Sequence, residues 1–370
     1  MEEEIPEYTE LCVAGLGPRL RCLRISVDEN NVFPGILQLI QELRPDWNPQ
    51  KIQTKLFTEG LTNKLLACYV QDGMDDAVLI RVYGNKTELL VDHENEVKSF
   101  LLLNAHGCAP KLHCTFTNGL CYEFTRGTAL GPEHVRESHI FRLIAQEVAK
   151  IHSIPIPNGQ RPKSNLWYRL HKYLTFIRRD FSVVDQGSPR LPPEVPSVHV
   201  LEEELAWMKT YLSALDSPIV LCHNDLLCKN VIYNEEEGYV RFIDYEYVGY
   251  NYQAFEIGNH FNEFAGVSDV DFSLFPSKEL QFQWLRHYLE MYKQLRQEGG
   301  EVTSSELAVL YVQVNAFALA AHFFWGLWGL IQSRYSKIQF NFSRYASIRF
   351  KQYFHVKPMV MELCSQSEKS

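Results

Sequence analysis

The sequence LCHNDLLCKN at positions 221–230, followed by VRFIDYE at 240–246, has the spacing of a phosphotransfer site. The pattern D-x-x-x-x-N puts Asp225 and Asn230 on one tight loop, and Asp244 ends the next strand-like run. Phosphoryl transfer needs a base that orients the attacking hydroxyl and oxygen ligands that hold Mg²⁺ against the nucleotide phosphates. We therefore expect Asp225 to be the base, and Asn230 and Asp244 to be the magnesium ligands.

The apolar runs around this loop predict a strand over 218–222 and a hairpin formed by 231–233 and 239–243, with its turn at 234–238. Strand ends hold side chains more precisely than free loops, which suits a cation with demanding geometry. The alternative is an ordinary turn with incidental acids. H-x-D alone is common, but the whole pattern rarely arises by accident.

Length and composition agree with an enzyme of two lobes. A chain of 370 residues and 43.0 kDa exceeds the usual single core. The formal net charge of −9, with no basic stripe, argues against a nucleic-acid partner. Nine cysteines without C-x-x-C pairs, and the acidic start Met1-Glu2-Glu3-Glu4, predict a reducing, cytoplasmic compartment.

Two features of the sequence have competing interpretations. Cys222 and Cys228 bracket the loop, and we interpret them as small buried residues rather than metal ligands, so we assign no zinc site. The stretch 308–331 is long enough to span a membrane, but Gln313, Asn315 and His322 interrupt it. An interior helix is the better interpretation, and we predict no integral membrane segment.

The N-terminal part has the pattern of a β-rich nucleotide-binding lobe. Residues 1–24 show no sustained period and are expected to form a loose tail, followed by a helix over 32–43 and strands over 53–57 and 64–70. The linker 58–63 between these strands offers Thr62 and Asn63 as donors to nucleotide phosphates. A plain hairpin is the alternative, because hairpins also use Gly and Asn.

A third predicted strand, 77–83, carries Arg81 within an apolar run. A charge that points inward needs a partner, and Glu96 on the predicted helix 94–105 is the natural one. Such a pair steadies nucleotide phosphates in kinase-like sites. The alternative is an edge-strand arginine with its head in water. Another strand follows at 120–124, and the adenine ring is expected near Tyr122 and Phe124, at a lobe boundary near 125.

Helical patterns follow this boundary, and the first covers residues 139–152. The segment 185–196 is proline-rich, which predicts an exposed loop. We predict an N-terminal nucleotide-binding lobe over 25–124, a C-terminal catalytic and substrate-binding lobe over 125–360, and a C-terminal tail over 361–370.

From about residue 25 to about 358, the chain resembles the choline/ethanolamine kinase family, most closely its ethanolamine kinases. The motifs that carry this resemblance are CHND (222–225) through Asn230, FIDYEY (242–247), YNY (250–252), IGNHFNE (257–263) and WGLW (325–328). The resemblance implies an α+β, two-lobed, protein-kinase-like (aminoglycoside phosphotransferase-like) fold, with a small β-rich N-terminal lobe and a larger, mainly helical C-terminal lobe. It also implies MgATP as donor, an amino-alcohol acceptor and, as one alternative, a homodimer.

Family members with this pattern line the cationic end of the substrate with aromatic residues and one carboxylate. Carried onto this sequence, these positions are Tyr247, Glu263, Trp325, Trp328, Phe340 and Tyr345. Aromatic faces attract cations, and Trp325 and Trp328 lie three apart on one helical face. Simple core packing is the alternative explanation of such a stripe. The resemblance also places Arg81 where protein kinases have lysine.

The resemblance implies phosphorylation of ethanolamine to phosphoethanolamine, the first step of the CDP-ethanolamine route to phosphatidylethanolamine. After Glu263 the chain continues FAGVSDVD (264–271), where choline kinases tend to be rich in tyrosine. This change opens the aromatic cage and leaves Ser268 or Asp269 as acceptors for a primary ammonium. Glu256 replaces the family's usual Asp, and we expect its additional methylene to misplace the acceptor that supports the catalytic loop.

Other functions remain as alternatives. A choline kinase or a dual choline/ethanolamine kinase would share every motif. A pseudokinase scaffold would bind nucleotide without turnover, whereas an aminoglycoside or amino-sugar kinase would lack the paired tryptophans. A hydrolase is least consistent with the sequence, because no G-x-S-x-G elbow or Ser/His/Asp order is evident.

Overall fold

The computed structural model describes residues 8–11, 20–57, 64–84, 90–156, 162–181 and 191–367. The chain divides into two compact units, Met1–Arg126 and Gly127–Ser370. The lobe boundary predicted from sequence lies within two residues of this division. Thr62 and Asn63 lie outside the described residues, as does part of the predicted loop 185–196.

The first unit is built on a seven-stranded sheet with the order β1-β2-β6-β7-β5-β4-β3. All neighbouring strands are antiparallel except β2 and β6, which are parallel. Two helices accompany the sheet. The elements are β1 (Tyr8–Leu11), β2 (Leu20–Leu23), α1 (Val32–Leu43), β3 (Gln53–Phe57), β4 (Lys64–Tyr69), β5 (Val78–Val82), α2 (His93–Ala105), β6 (Leu112–Phe116) and β7 (Gly119–Glu123).

The core of this unit lies between α1 and the sheet. Ile36, Leu39 and Ile40 recur at helical spacing and are fully buried. They pack in one cluster with strand residues such as Ile80 and Cys121. The apolar face of α1 therefore covers the sheet, as the period of the predicted helix 32–43 indicated.

The ends of the chain differ from the prediction. The expected tail over 1–24 contains β1 and β2, and Arg21 of β2 pairs with Cys114 of β6. Residues 1–24 show no sustained period, so these two short strands were not predicted. The expected tail over 361–370 is also wrong for its described part, because the last helix continues to Ser367.

The second unit is mainly helical. Its helices are α3 (Ser138–His152), α4 (Leu166–Phe181), α5 (Val198–Ser213), α6 (Gln253–Glu263), α7 (Lys278–Leu295), α8 (Ser304–Tyr335) and α9 (Phe342–Ser367). The short strands among its described residues are β8 (Thr128–Ala129), β9 (Ile219–Cys222), β10 (Val231–Asn234), β11 (Tyr239–Phe242) and β12 (Gly249–Tyr252). They form a β11-β10-β8 sheet and a separate β12-β9 pair.

Helix α8 is an interior helix, as predicted. It is the one helix in the described part of the chain that is long and apolar enough to cross a membrane, but 78% of its most apolar window is buried inside the protein. Helix α6 packs tightly against it. A Cβ added to Gly258 would lie 2.6 Å from the Val314 carbonyl oxygen. Glycine at this position therefore allows close approach of the two backbones.

Candidate active site

The catalytic loop begins where β9 ends and leads through a 3₁₀ turn, Cys228–Asn230, into the β10–β11 hairpin. The amide N–H of Ile243 donates to the carbonyl oxygen of Asn230 over 3.0 Å, and His223 Nε2 lies 2.9 Å from the Ile243 carbonyl oxygen. These bonds join the loop to the strand end that carries Asp244. The hairpin predicted from sequence is therefore present.

The three predicted catalytic residues come together at this point. Asn230 Nδ2 donates to the backbone oxygen of Asp225 over 2.8 Å and to its Oδ2 over 3.2 Å. Burial raises the pKa of Asp225 well above its usual range, and the nearby carboxylates of Asp244, Glu246 and Glu263 raise it further. A bound cation would offset this repulsion. The oxygen atoms of Asn230 and Asp244 are the type of ligand that hard cations prefer.

Glu256 at the start of α6 supports the loop directly. Its Oε1 accepts from the backbone N–H of Asn224 over 2.7 Å, and its Oε2 accepts from that of His223 over 2.5 Å. The expectation that glutamate misplaces this acceptor is wrong, because the longer side chain delivers both oxygens to the loop.

A buried chain of hydrogen bonds holds Glu256 in turn. Gln253 Nε2 donates to the Tyr288 hydroxyl over 2.8 Å, which lies 2.8 Å from His152 Nδ1. His152 Nε2 lies 3.4 Å from Glu256 Oε2. Burial acts to raise the pKa of Glu256, but the hydrogen bond and charge of His152, with the His223 N–H, bring it below the usual value. These hydrogen bonds were not predicted from the sequence.

Asn224 shapes the turn of the loop. Its φ of 67° lies in the left-handed region that asparagine tolerates better than most residues. Its Nδ2 faces the carbonyl oxygens of Cys222, Tyr247 and Gly249 at 3.0–3.2 Å. The residue between the motif His and Asp therefore connects the loop to the segment that carries the pocket residue Tyr247.

The predicted aromatic residues of the pocket contact one another. Ring centroids are 5.5 Å apart for Tyr247 and Trp325, 5.4 Å for Trp325 and Trp328, and 6.1 Å for Trp328 and Tyr345. Phe340 lies 5.9 Å from Tyr345. Trp328 Nε1 donates to the Tyr247 hydroxyl over 2.8 Å, which fixes both rings.

Glu263 is buried and forms an ion pair with Arg349 of α9, a residue that sequence reasoning missed. The Arg349 guanidinium also lies over the Tyr345 ring, 5.0 Å from its centroid. The expected lone carboxylate of the pocket is thus already paired with a cation. Arg349 fixes the orientation of both Glu263 and Tyr345.

In the first unit, Arg81 of β5 forms a buried ion pair with Glu96 of α2, as predicted. Strand β5 lies between β4 and β7, so the alternative of an edge-strand arginine is wrong. Tyr122 is buried against Phe100, with ring centroids 5.3 Å apart. Phe124 is half-buried beside Phe57. The side chain of Tyr122 therefore belongs to the core.

Known proteins are similar to this chain in sequence. The choline/ethanolamine kinase family model matches residues 54–354. The chain is 60% identical over 342 residues to ethanolamine kinase 2 of Rattus norvegicus, covering 92% of this chain and 86% of the relative. It is 59% identical over 346 residues to ethanolamine kinase 1 of Homo sapiens, covering 94% and 76%. The chain belongs to the choline/ethanolamine kinase family. As a member, it is a kinase that uses ATP as co-substrate and acts on a small molecule.

Solved structures of similar proteins confirm the predicted fold class. An ethanolamine kinase of Plasmodium vivax matches with a TM-score of 0.77 at 27% identity, covering 88% of this chain and 89% of that one. A macrolide 2'-phosphotransferase of Brachybacterium faecium matches with a TM-score of 0.53 at 14% identity, covering 85% and 96%. Kinases of different acceptors thus share the fold, so the fold alone does not identify the acceptor.

Proposed function

We propose that this kinase transfers the γ-phosphoryl group of MgATP to the hydroxyl of ethanolamine, which gives phosphoethanolamine for phosphatidylethanolamine synthesis. The observation that carries the proposal is the 59–60% identity to ethanolamine kinases over more than nine tenths of the chain. The buried aromatic pocket beside a carboxylate supports an amino-alcohol acceptor, because aromatic faces attract cations by about 0.5–2 kcal/mol each.

Asp225 is the proposed base. Its hydrogen bond from Asn230 orients the carboxylate, and its raised pKa suits a group that must take a proton from the substrate hydroxyl. Asn230 and Asp244 are the proposed magnesium ligands. When bound, Mg²⁺ would neutralise charge on the phosphates. In the first unit, the Arg81–Glu96 pair supports a role in nucleotide binding.

The substrate ammonium is proposed to lie among Tyr247, Trp325, Trp328, Phe340 and Tyr345, with Glu263 oriented by Arg349. Ser268 and Asp269 are exposed, so the structure does not support them as acceptors within this buried cluster. A different acceptor fits better. The Tyr173 hydroxyl is fully buried, and among the described residues it has no hydrogen-bond partner.

Tyr173 is linked to the aromatic cluster through Phe324. Its ring is 5.2 Å from that of Phe324, which is 5.1 Å from Trp325. Burial raises the pKa of Tyr173, with Glu246 and Asp225 adding to the effect, so its hydroxyl lies near the acidic cluster. A primary ammonium has N–H donors for such an oxygen, whereas the quaternary ammonium of choline has none. Tyr173 therefore favours ethanolamine.

The decisive experiment measures ADP release with MgATP against ethanolamine, its monomethyl and dimethyl derivatives, and choline. We expect kcat/KM to fall as methyl groups are added. Equal turnover of choline and ethanolamine at low concentration would favour a dual kinase. A pseudokinase scaffold would be favoured instead if ATP stabilised both the wild type and Asp225→Asn but neither protein released ADP in response to the acceptor.

The remaining predictions concern the protein's surroundings. We propose that it acts in the cytoplasm, which agrees with the free cysteines found among the described residues. The homodimer remains a prediction, and sedimentation of the purified enzyme tests it.

A further inference from the structure

Three potential metal ligands meet behind the catalytic loop. They are His152 at the end of α3, Cys222 at the end of β9 and Glu256 in α6, and all three are buried. Cys222 Sγ lies 3.8 Å from His152 Nε2, which lies 3.4 Å from Glu256 Oε2. All three ligand atoms lie within 4.8 Å of one another. This group has no part in the proposed phosphoryl transfer chemistry.

These separations approach those of a tetrahedral zinc site. With Zn–S of about 2.3 Å and Zn–N or Zn–O of about 2.0–2.1 Å, ligand atoms lie roughly 3.3–3.6 Å apart. The two measured separations therefore need to close by only a few tenths of an ångström, and the third, from Cys222 to Glu256, by at most about 1.3 Å from its upper bound of 4.8 Å. Thiolate and imidazole ligands select Zn²⁺ over Mg²⁺, so the magnesium of the kinase reaction would not compete.

The surroundings of His152 also suit a metal ligand. Its Nδ1 lies 2.8 Å from the Tyr288 hydroxyl, which is able to accept as well as donate. If Nδ1 carries the proton and donates to Tyr288, Nε2 presents its lone pair to the other two ligands. A partner of this kind typically fixes the tautomer and the ring orientation of a metal-bound histidine.

We propose that His152, Cys222 and Glu256 form an inhibitory Zn²⁺ site, which revises the sequence-based interpretation that Cys222 binds no metal. Binding replaces the Cys222 thiol proton, which passes to solvent, and forms Zn–S, Zn–N and Zn–O bonds without any change in oxidation state. The zinc-bound oxygen is Glu256 Oε2, which accepts from the His223 N–H over 2.5 Å. Coordination weakens that bond and loosens the loop that carries Asp225. Because the ligands are buried, inhibition develops slowly, during local opening.

The test uses the full-length enzyme, incubated with Zn²⁺ and a phosphine reductant and freed of unbound metal by gel filtration. Bound zinc and kcat are then measured, each variant relative to its own zinc-free rate. Cys222→Ser removes a ligand, and Cys228→Ser is the matched control, because Cys228 brackets the same loop but donates to the Glu263 carbonyl oxygen over 3.3 Å.

We expect the wild type and Cys228→Ser to retain one Zn²⁺ and to lose kcat slowly. Their kcat should recover after chelation of the zinc, and excess Mg²⁺ should not relieve the inhibition. Cys222→Ser should need at least about tenfold more Zn²⁺. Unchanged inhibition of Cys222→Ser, relief by Mg²⁺, or absence of bound zinc would overturn the proposal. If Cys222→Ser fails to fold, the wild type is loaded with Co²⁺ in place of Zn²⁺. Its absorption spectrum must then show a thiolate-to-Co²⁺ charge-transfer band for the proposal to stand. The outcome does not depend on which amino alcohol is the substrate.

Discussion

Replacing Glu256 by glutamine tests the support of the catalytic loop with almost no change of shape. In the native side chain both oxygens accept backbone N–H groups, from Asn224 over 2.7 Å and from His223 over 2.5 Å. A glutamine amide has only one oxygen. Whichever way it is turned, its NH₂ group faces a backbone N–H, so that one donor of the loop loses its acceptor.

The cost follows from these contacts. A hydrogen bond to a charged group contributes about 1.5–3 kcal/mol, and a buried donor without a partner costs about 1–3 kcal/mol, so Glu256→Gln should lose roughly 3–5 kcal/mol of stability. The loop carries Asp225, and a misplacement of about 1 Å costs roughly 10²-fold in rate. We expect kcat to fall 10- to 100-fold, in keeping with that figure, with little change in the KM for ethanolamine.

Urea unfolding and steady-state ADP release measure the two effects. Glu147→Gln is the matched control, because Glu147 is also buried but pairs with the side chains of Lys150 and Arg241, at 2.7 and 2.8 Å, and not with the backbone of the catalytic loop. It should lose stability but keep its kcat. The reasoning fails if Glu256→Gln unfolds at the wild-type urea concentration, or if it loses stability but keeps the full rate.

Three further predictions follow from the site. Asp225→Asn should lower kcat by about 10²–10⁴-fold. With chelator present, the raised pKa of Asp225 means that the folded state keeps a proton that the unfolded state has lost. Wild-type stability should therefore fall as pH rises from the ordinary carboxyl pKa to the raised one. Urea unfolding measured over a series of pH values should show this fall in the wild type but not in Asp225→Asn. Tyr173→Phe should raise the KM for ethanolamine several-fold and leave the KM for choline unchanged. Tyr250→Phe removes another hydroxyl that has no partner among the described residues, and it should change neither KM. Equal effects of Tyr173→Phe on both substrates would exclude the proposed acceptor. Arg349→Met should cost about 3–5 kcal/mol by leaving Glu263 buried and unpaired, and Arg349→Lys should restore part of it in urea unfolding; a fully stable Arg349→Met would contradict the pairing.

Local spacing explains which parts of the site the sequence could predict. Asp225 and Asn230 are five residues apart on one loop, and a short hairpin leads to Asp244, so their meeting needs no knowledge of the tertiary fold. The Arg81–Glu96 pair needed only the step from one strand to the next helix. Such short-range geometry is fixed by turn chemistry and by element period.

Contacts between residues far apart along the chain were not predicted, because nothing in the sequence connects them. Arg349 is 86 residues from Glu263, and His152 is 104 residues from Glu256. Each lies on its own amphipathic helix, where a polar residue on the buried face gives no sign of its partner. Ser268 and Asp269, the acceptors expected from sequence, follow Glu263 directly but are exposed, and the sequence did not indicate their exposure.

Helix α6 explains why the catalytic loop and the pocket belong to one rigid site. Glu256 in its first turn supports the loop, and Glu263 at its end pairs with Arg349 in the pocket. Between them, Asn259 lies 3.4 Å from the Asn224 carbonyl oxygen and accepts from Trp325 Nε1 over 2.8 Å. Seven residues of helix span roughly 10 Å. Since all eleven residues of α6 are buried, we expect this length to fix the distance between the groups proposed to hold the reacting hydroxyl and those proposed to hold the ammonium.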